Sequence, residues 1–396
     1  MTTESVRVYA ALKDRVVTAE RSGADGSTAE RSGGGGPTGE QSSTGGPTDE
    51  WAVTERLQGE TVECLAASDA RPDRAFVGTA AGIRRTTDGG DTWTRVGPSV
   101  DDRVTALAVS PQDPDVVYAG TEPSAVSRST DGGDTWESLA PVTDLPSEPE
   151  WSFPPRPHTH HVRWIEIAPA DTDRLYVSIE AGALLRTTDG GETWEDRPGE
   201  PEPETDESAT DGSPWGEPTR SNGARRDNHT LATHPDRPGR VYAAAGDGYA
   251  QSEDGGDSWV YPQDGLGHRY VWGITVPESD PGTVVVSAAT GATMAHGRDG
   301  AESYLYRTTD ADDAGDTGDR DGSDAVRWER AMDGLPDGRG TVRTVLAAGA
   351  GETLYAASNH GLFRSPDAGA SWTAAGLEWP ADETPMPCGL AVVGDR

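Results

Sequence analysis

Side chains that could bind an anion or a metal are concentrated after residue 157. All 8 histidines lie there. Imidazole is both a common metal ligand and a general acid or base, and guanidinium groups bind anions. The candidate ligand-binding residues are His158, His160, His161, Arg225, Arg226, His229, His268, Arg269, Tyr270, Trp272, His296 and His360. These types predict an anionic or metal-containing site, and a divalent metal is one cofactor that His158, His161, His229 and His268 could hold.

Acidic side chains end several strand-like runs. VVYAGTE ends at Glu122, LYVSIE ends at Glu180 and VYAAAGD ends at Asp247. With Tyr270 they are the candidate catalytic residues. Two carboxylates about 5 to 9 Å apart would suit glycoside hydrolysis. The same groups could instead orient imidazole rings around a metal, or could be hydrogen-bond partners that fix loops.

One short pattern recurs along the chain. TTDGGDTW, STDGGDTW, TTDGGETW, SEDGGDSW and SPDAGASW contain Asp88 and Trp93, Asp131 and Trp136, Asp189 and Trp194, Asp254 and Trp259, and Asp367 and Trp372. A sixth copy is interrupted before Trp328, and a seventh near Trp51 is eroded. In this pattern Asp can accept backbone N–H groups, Gly can adopt positive φ, and Trp can pack between sheets.

The pattern resembles the Asp-box, or BNR, repeat of sialidases, xyloglucanase-type glycoside hydrolases and sortilin-type receptors, within the larger group of WD40- and YVTN-like propellers. The resemblance extends over nearly the whole chain. It implies a β-propeller in which each box joins the third and fourth strands of a blade, away from the binding face. The five box aspartates are therefore expected to be structural and not catalytic.

The spacing of the repeats predicts the blade count. Three strand-like runs precede each box and a short one follows it, which indicates four-stranded blades. Six such units lie between residues 60 and 378. The N-terminal strands and the C-terminal run CGLAVV complete a seventh, leaving no free sheet edge. We therefore predict an all-β fold, a single seven-bladed propeller formed by residues 1–396.

Segments between the repeats are predicted to be loops. Residues 20–50 are of low complexity and are expected to be disordered. Residues 141–157, 197–226 and 290–303 are expected on the top face, where loops between blades and between second and third strands gather. Residues 311–325 form an acidic insert within a box. The candidate residues then lie mainly on the top face of blades 4–6.

Three functions remain open. The first is a binding module for a small molecule, glycan or protein. The second is a glycoside hydrolase, although the Arg-Ile-Pro of sialidases is absent, and xyloglucanase-type enzymes place their acids between two propellers. Tyr270 and Glu180 with arginines from Arg225, Arg226 and Arg269 could imitate a sialidase site. The third is a metalloprotein.

The amino-acid composition indicates the cellular environment of the protein and disfavours some classes of partner. The net charge is −35 and Lys13 is the only lysine, a balance that resembles proteins of salt-accumulating archaea. This charge disfavours nucleic acid as a partner. No apolar run approaches a membrane span, and MTTESVRVYA does not read as a signal peptide, so we expect a cytoplasmic monomer. Cys64 and Cys388 are expected to be free thiols.

Overall fold

The structure, a computed structural model, describes residues 5–22, 51–97, 102–196, 226–297, 299–309, 326–379 and 385–394. Strands form seven sheets arranged as the blades of a propeller. Most of the predicted loops 20–50 and 197–226, and all of 311–325, lie outside the described residues. No helix in the described part of the chain is long and apolar enough to span a bilayer.

Each blade is an antiparallel meander. Blade 1 contains β1 (Ser5–Leu12), β2 (Arg15–Ser22) and β3 (Ala52–Arg56). Blade 2 contains β4 (Val62–Ala67), β5 (Ala75–Thr79), β6 (Gly82–Thr86) and β7 (Thr94–Val96). Blade 3 contains β8 (Arg103–Val109), β9 (Val117–Glu122), β10 (Val126–Ser129) and β11 (Glu137–Ser138). Blade 4 contains β12 (Val162–Ile167), β13 (Leu175–Ile179), β14 (Ala183–Thr187) and β15 (Glu195–Asp196). Blade 5 contains β16 (Asn228–His234), β17 (Arg237–Ala245) and β18 (Gly248–Ser252), with a bridge between Gln251 and Val260 in place of a fourth strand.

The remaining blades complete the ring. Blade 6 contains β19 (Tyr270–Thr275), β20 (Val284–Ala289), β21 (Tyr304–Thr308) and β22 (Glu329–Arg330). Blade 7 contains β23 (Val345–Ala348), β24 (Leu354–Ser358), β25 (Gly361–Ser365) and β26 (Thr373–Ala374). β27 (Pro387–Val393) belongs to blade 1. Helix α1 (Ala292–His296) lies in the predicted insert 290–303, and 3-10 turns at Val142–Asp144 and Glu148–Glu150 lie in the insert 141–157.

Blade 1 closes the ring with strands from both ends of the sequence, as predicted. The strand order is β27-β1-β2-β3, so the C-terminal strand is innermost. Val8 pairs with Val392 and Ala10 with Leu390 in the antiparallel register. Trp51 of this blade donates its indole N–H to the Ala375 carbonyl of blade 7 at 2.7 Å. Hydrogen bonds and packing thus continue across the point where the ring closes.

The repeated motif forms a turn between the third and fourth strands, as expected. Asp88 accepts hydrogen bonds from the Thr92 backbone N–H at 2.9 Å and from its hydroxyl at 2.6 Å. Gly89 and Gly90 adopt φ of 75° and 98°, which favours glycine. Equivalent bonds recur at Asp131, Asp189, Asp254 and Asp367. These carboxylates are occupied in fixing turns on the face opposite to the loops between blades.

Arginines on several third strands join one blade to the next. Arg85 donates to the Gly132 carbonyl and to Asp134, both at 2.7 Å. Arg186 makes the matching bonds to Gly255 at 2.7 Å and Asp257 at 2.9 Å. A rigid guanidinium can bind a carbonyl and a carboxylate together. Many arginines of this acidic chain therefore have structural partners at the blade junctions.

The inner strands share an irregularity that directs side chains toward the channel. In six of them the pairing register skips one residue near the start of the strand, a β-bulge. The skipped residues are Glu63, Thr105, Arg163, His229, Trp272 and Cys388. Arg343, just before β23, occupies the same sequence position in blade 7. One residue per blade is thereby placed near the top of the channel.

Glu166 provides a test of the packing between blades 4 and 5. Its carboxylate accepts bonds from the Thr233 N–H at 2.9 Å and hydroxyl at 2.8 Å, and from Trp164 at 3.2 Å. Burial outweighs these bonds and raises the pKa of Glu166 to about 7. Unfolded chains ionise this group near pH 4.3. Folding therefore holds a proton that the unfolded chain has released, and this contribution to stability declines as pH rises through 7.

We expect the free energy of unfolding of the wild type to fall relative to Glu166→Gln between pH 5 and 8. Because Glu166 retains some solvent exposure, a difference of about 1–2 kcal/mol is expected. Urea denaturation of both proteins in concentrated KCl at several pH values measures it. Parallel profiles would show that Glu166 ionises normally in the folded protein.

Candidate functional site

The inner-strand residues of blades 4 to 7 converge with neighbouring loop residues on the top face. We call this group the channel-mouth cluster. Its members are His161, Arg163, Glu180, Asp227, His229, Tyr270, Trp272, His296 and Arg343. Inner strands begin, and second strands end, on the face opposite to the repeated turns, which is why residues from four blades meet there.

The Trp272 indole is the centre of the cluster. The guanidinium carbons of Arg163 and Arg343 lie 4.3 and 4.4 Å from its ring centroid. The rings of His229 and His296 lie 4.7 and 4.3 Å away. Cation–π contacts of this kind become stronger where water is excluded. Trp272 therefore allows two cations to lie near each other at the channel mouth.

Glu180 is held as a carboxylate. Its Oε2 lies 2.9 Å from His161 Nε2 and 3.6 Å from Arg163 Nε. Burial opposes ionisation, but the hydrogen bond and charge of His161, with the charges of Arg163 and His229, hold the pKa of Glu180 well below its usual range. Glu180 is thus suited to binding a cation or acting as a nucleophile, and not to donating a proton.

Asp227 and His229 form the second polar contact of the cluster. His229 is 0% exposed, and its Nε2 lies 3.4 Å from Asp227 Oδ2. Its Nδ1 lies 2.7 Å from the Val271 carbonyl. Burial disfavours the imidazolium, yet the charges of Asp227 and Glu180 raise the pKa of His229 overall. Donor atoms of Glu180, Asp227 and His229 all lie within 4.8 Å of one another.

Tyr270, His296 and Arg343 form a chain of hydrogen bonds. Arg343 Nη1 donates to His296 Nδ1 at 2.9 Å, so the proton of the neutral ring is on Nε2, 2.9 Å from the Tyr270 hydroxyl. Burial and the Arg343 charge lower the pKa of His296 to about 2. Burial also raises the pKa of Tyr270 well above its ordinary value. His296 and Tyr270 are therefore neutral, and the positive charge of this chain is carried by Arg343.

Several predicted residues lie outside the cluster. His160 Nδ1 lies 2.8 Å from the Ser124 hydroxyl. His268 stacks on Tyr304 at 4.2 Å and lies 2.5 Å from the Tyr306 hydroxyl. His158, His360 and Arg269 are exposed, and Arg226 is exposed and pairs with Glu150 at 2.5 Å.

The predicted carboxylates divide in the same way. Glu122 forms a two-bond ion pair with Arg156, each bond 2.7 Å, and Asp247 is half-buried. Asp227, rather than Asp247, is the carboxylate that lies close to Glu180. Arg225 lies outside the described residues.

Arg163, Asp227 and Arg343 are the cluster residues that the sequence interpretation missed. Aligning the inner strands on the residue preceding each bulge would have revealed two of them, since Val162-Arg163, Asn228-His229, Val271-Trp272 and Val342-Arg343 occupy one repeat position. Asp227 lies two residues before the bulge residue of blade 5, His229. His161 and Tyr270 have the same position relative to the bulge residues Arg163 and Trp272. Repeat position, rather than residue type, is the signal that places them together.

The fold defines the class of protein: a seven-bladed β-propeller of antiparallel blades, four-stranded except that a bridge replaces the fourth strand of blade 5. The sequence matches no protein-family model and no curated protein. Among solved structures it is similar to an ancestral GH74 enzyme, with a TM-score of 0.53 and 14% identity over 84% of this chain and 38% of that one. It is also similar to the GH74 xyloglucanase of Xanthomonas campestris, with a TM-score of 0.51 and 17% identity over 79% of this chain and 45% of that one.

A third similar structure is YCF48 from Cyanidioschyzon merolae, with a TM-score of 0.49 and 16% identity over 79% of this chain and 84% of that one. The chain spans less than half the length of the two GH74 enzymes. The likeness to the two GH74 enzymes shows the propeller fold alone.

Proposed function

We propose that this propeller is a binding module that takes an anionic ligand on the top face, at the channel mouth formed by blades 4 to 7. The observation that carries the proposal is Arg343. The residue is 7% exposed, and within the described part of the chain its guanidinium contacts Trp272, His296 and the Pro387 carbonyl but no carboxylate. A buried charge without an opposite charge is costly, and an anionic ligand would remove that cost.

Other features of the cluster support the same ligand chemistry. Arg163 has one ion-pair contact, 3.6 Å from Glu180, and its Nε has no hydrogen-bond partner among the described residues. Trp272 adds aromatic surface beside both arginines, and Tyr270 stacks with Trp272. Carboxylate, phosphate or sulfate groups match the forked donors of arginine. An acidic glycan, a small organic anion or an acidic segment of a partner protein would present them.

The proposed setting is a salt-rich cytoplasm, with the protein acting as a monomer of haloarchaeal Asp-box type. The net charge of −35 and the single lysine support this setting. The charge also favours selectivity, because an anion approaching an acidic surface needs a specific cationic site. The inserts 141–157 and 290–303 each contribute a ring that contacts the cluster: Phe153 lies 4.7 Å from His161, and His296 lies 4.3 Å from Trp272.

The test is a thermal-shift screen of organic carboxylates, phosphates, sulfated and sialylated glycans and acidic peptides in concentrated KCl. Hits are then measured by calorimetry with Arg343→Met and with Arg330→Met as the matched control. Arg330 also lies over an aromatic ring, 4.3 Å from Tyr304, but on an outer strand. We expect at least a tenfold loss of affinity in Arg343→Met only. Equal affinity in both variants, or no hit across the panel, would contradict the proposal.

A glycoside hydrolase is the second candidate. Carboxylate oxygens of Glu180 and Asp227 lie within 4.8 Å of each other, close to the roughly 5 Å separation of retaining enzymes. Glu180, with its lowered pKa, would then be the nucleophile. Turnover of aryl glycosides that is lost in Glu180→Gln would favour this function over simple binding.

A further inference from the structure

We infer that Glu180, Asp227 and His229 form a binding site for one divalent transition-metal ion at the channel mouth. Each residue offers a ligand atom, and these atoms lie within 4.8 Å of one another. His229 is fully buried, and its Nε2 has no hydrogen-bond partner within the described residues although it lies beside a carboxylate. An imidazole nitrogen left unpaired next to two carboxylates is a typical arrangement for a metal ligand.

The tautomer of His229 suits this role. Its Nδ1 lies 2.7 Å from the Val271 carbonyl, which can only accept a hydrogen bond, so Nδ1 carries the proton. In the neutral ring the lone pair is then on Nε2. Metal-binding histidines commonly donate their other N–H to a carbonyl or carboxylate, which fixes the ring orientation. Val271 gives His229 that second contact.

Asp227 is held in place through one carboxylate oxygen, and among the described residues the other oxygen accepts no hydrogen bond. Its Oδ1 accepts a hydrogen bond from the Ala181 N–H at 3.1 Å. Its Oδ2 lies 3.4 Å from His229 Nε2. Two ligands of a tetrahedral ion with bonds near 2.05 Å are about 3.3 Å apart, so this pair already has the required spacing.

Glu180 would supply the third ligand. Its Oε2 is occupied by His161, while Oε1 has no hydrogen bond within the described chain. Imidazole favours zinc, cobalt and other first-row transition metals over magnesium and calcium, which prefer oxygen ligands alone. The competing occupant is a proton on His229 Nε2, which would make the same three residues an ion-pair cluster that binds no metal.

Gly246 offers a way to disturb the site without altering a ligand. A Cβ at this position would lie 2.2 Å from Asp227 Oδ2. Gly246→Ala must therefore displace the carboxylate oxygen closest to His229. The matched control is Gly291→Ala, because a Cβ at Gly291 meets nothing within 4 Å and its φ of −175° is open to any residue.

The experiment uses the full chain, stripped with a chelator and titrated with Zn²⁺ by calorimetry in concentrated KCl. Co²⁺ absorption provides a second readout. We expect one equivalent per chain and intensified Co²⁺ bands from a site of low coordination number. Asp227→Asn and Gly246→Ala should each weaken binding at least tenfold, with Gly291→Ala and His268→Ala unchanged. Near-UV circular dichroism verifies that the variants are folded.

Absence of stoichiometric Zn²⁺ binding by the wild type would overturn the inference. So would equal affinity in wild type, Asp227→Asn and Gly246→Ala, since the ions would then bind elsewhere on the acidic surface. The titration contains no organic ligand. A titration that detects no Zn²⁺ binding therefore does not contradict the anionic-ligand proposal. A ligand screen without hits likewise does not contradict the metal site.

Discussion

Deleting residues 385–396 should abolish cooperative folding of the whole propeller. The deletion removes β27, the innermost strand of blade 1, and leaves the inner edge of β1 unpaired from Arg7 to Leu12. It also removes two buried side chains: Val392, which packs with blade 1 and blade 7 residues, and Val393, which packs with blade 1 and blade 2 residues. Because these losses open the ring, we expect more than about 5 kcal/mol of destabilisation.

Urea denaturation followed by tryptophan fluorescence measures this effect. Deletion of residues 395–396 alone is the control, since β27 then remains intact. A synthetic peptide of residues 385–394 added to the longer deletion should restore a cooperative transition by strand addition. A truncated protein that unfolds cooperatively without the peptide would mean that the other six blades are stable as an open ring.

The fold could be predicted because its determinants are local. The Ser/Thr, Asp and Gly residues of each repeat satisfy one another within a turn, as Thr86, Asp88 and Thr92 do, so the motif specifies its own geometry. Trp328 packs in a buried cluster with blade 5 and 6 residues although its motif is interrupted. Blade spacing and ring closure followed from counting these units.

The site could be predicted only in part, because its geometry depends on register between blades. Sequence placed His161, His229, Tyr270, Trp272 and His296 on one face, and the structure brings these five together. It also placed His268 there, only two residues before Tyr270, but that ring turns outward onto Tyr304.

The arginines of the cluster were also not predicted from the sequence. Arg225, Arg226 and Arg269 were selected because the sequence predicts loops there, whereas Arg163 and Arg343 lie on or beside inner strands whose sequences are typical of a buried core. A β-bulge turns one residue of such a strand toward the channel, and hydrophobic patterning alone does not reveal it. The polar residues of the cluster are therefore found by aligning repeats, not by searching for exposed loops.

The two arginines that contact Trp272 should have opposite effects on stability when replaced by methionine. Arg163 lies 3.6 Å from Glu180, and its loss leaves a largely buried carboxylate with one fewer cation. Removing one partner of a buried pair typically costs about 3–5 kcal/mol, so Arg163→Met should lower the free energy of unfolding by about 2–4 kcal/mol after allowing for His161.

Arg343→Met should instead raise the free energy of unfolding. Burial, with a contribution from the Arg163 charge, lowers the pKa of Arg343 to about 10, which corresponds to roughly 3 kcal/mol against the charged form. Methionine removes that charge and keeps a long apolar side chain against Trp272. His296 Nδ1 loses its donor, at a cost of about 1 kcal/mol, which leaves a net gain of about 1–2 kcal/mol.

Urea denaturation of wild type, Arg163→Met and Arg343→Met in concentrated KCl compares the two effects without any ligand. In Arg343→Met the pKa of His296 should also move up toward its ordinary value, because the Arg343 charge helps to lower it. Histidine titration by NMR measures that change. Destabilisation by both substitutions would mean that the Arg343 charge is already compensated within the free folded protein, and would contradict its role in binding an anion. Opposite signs would identify Arg343 as a residue that costs stability in the free protein, as expected of a group reserved for binding.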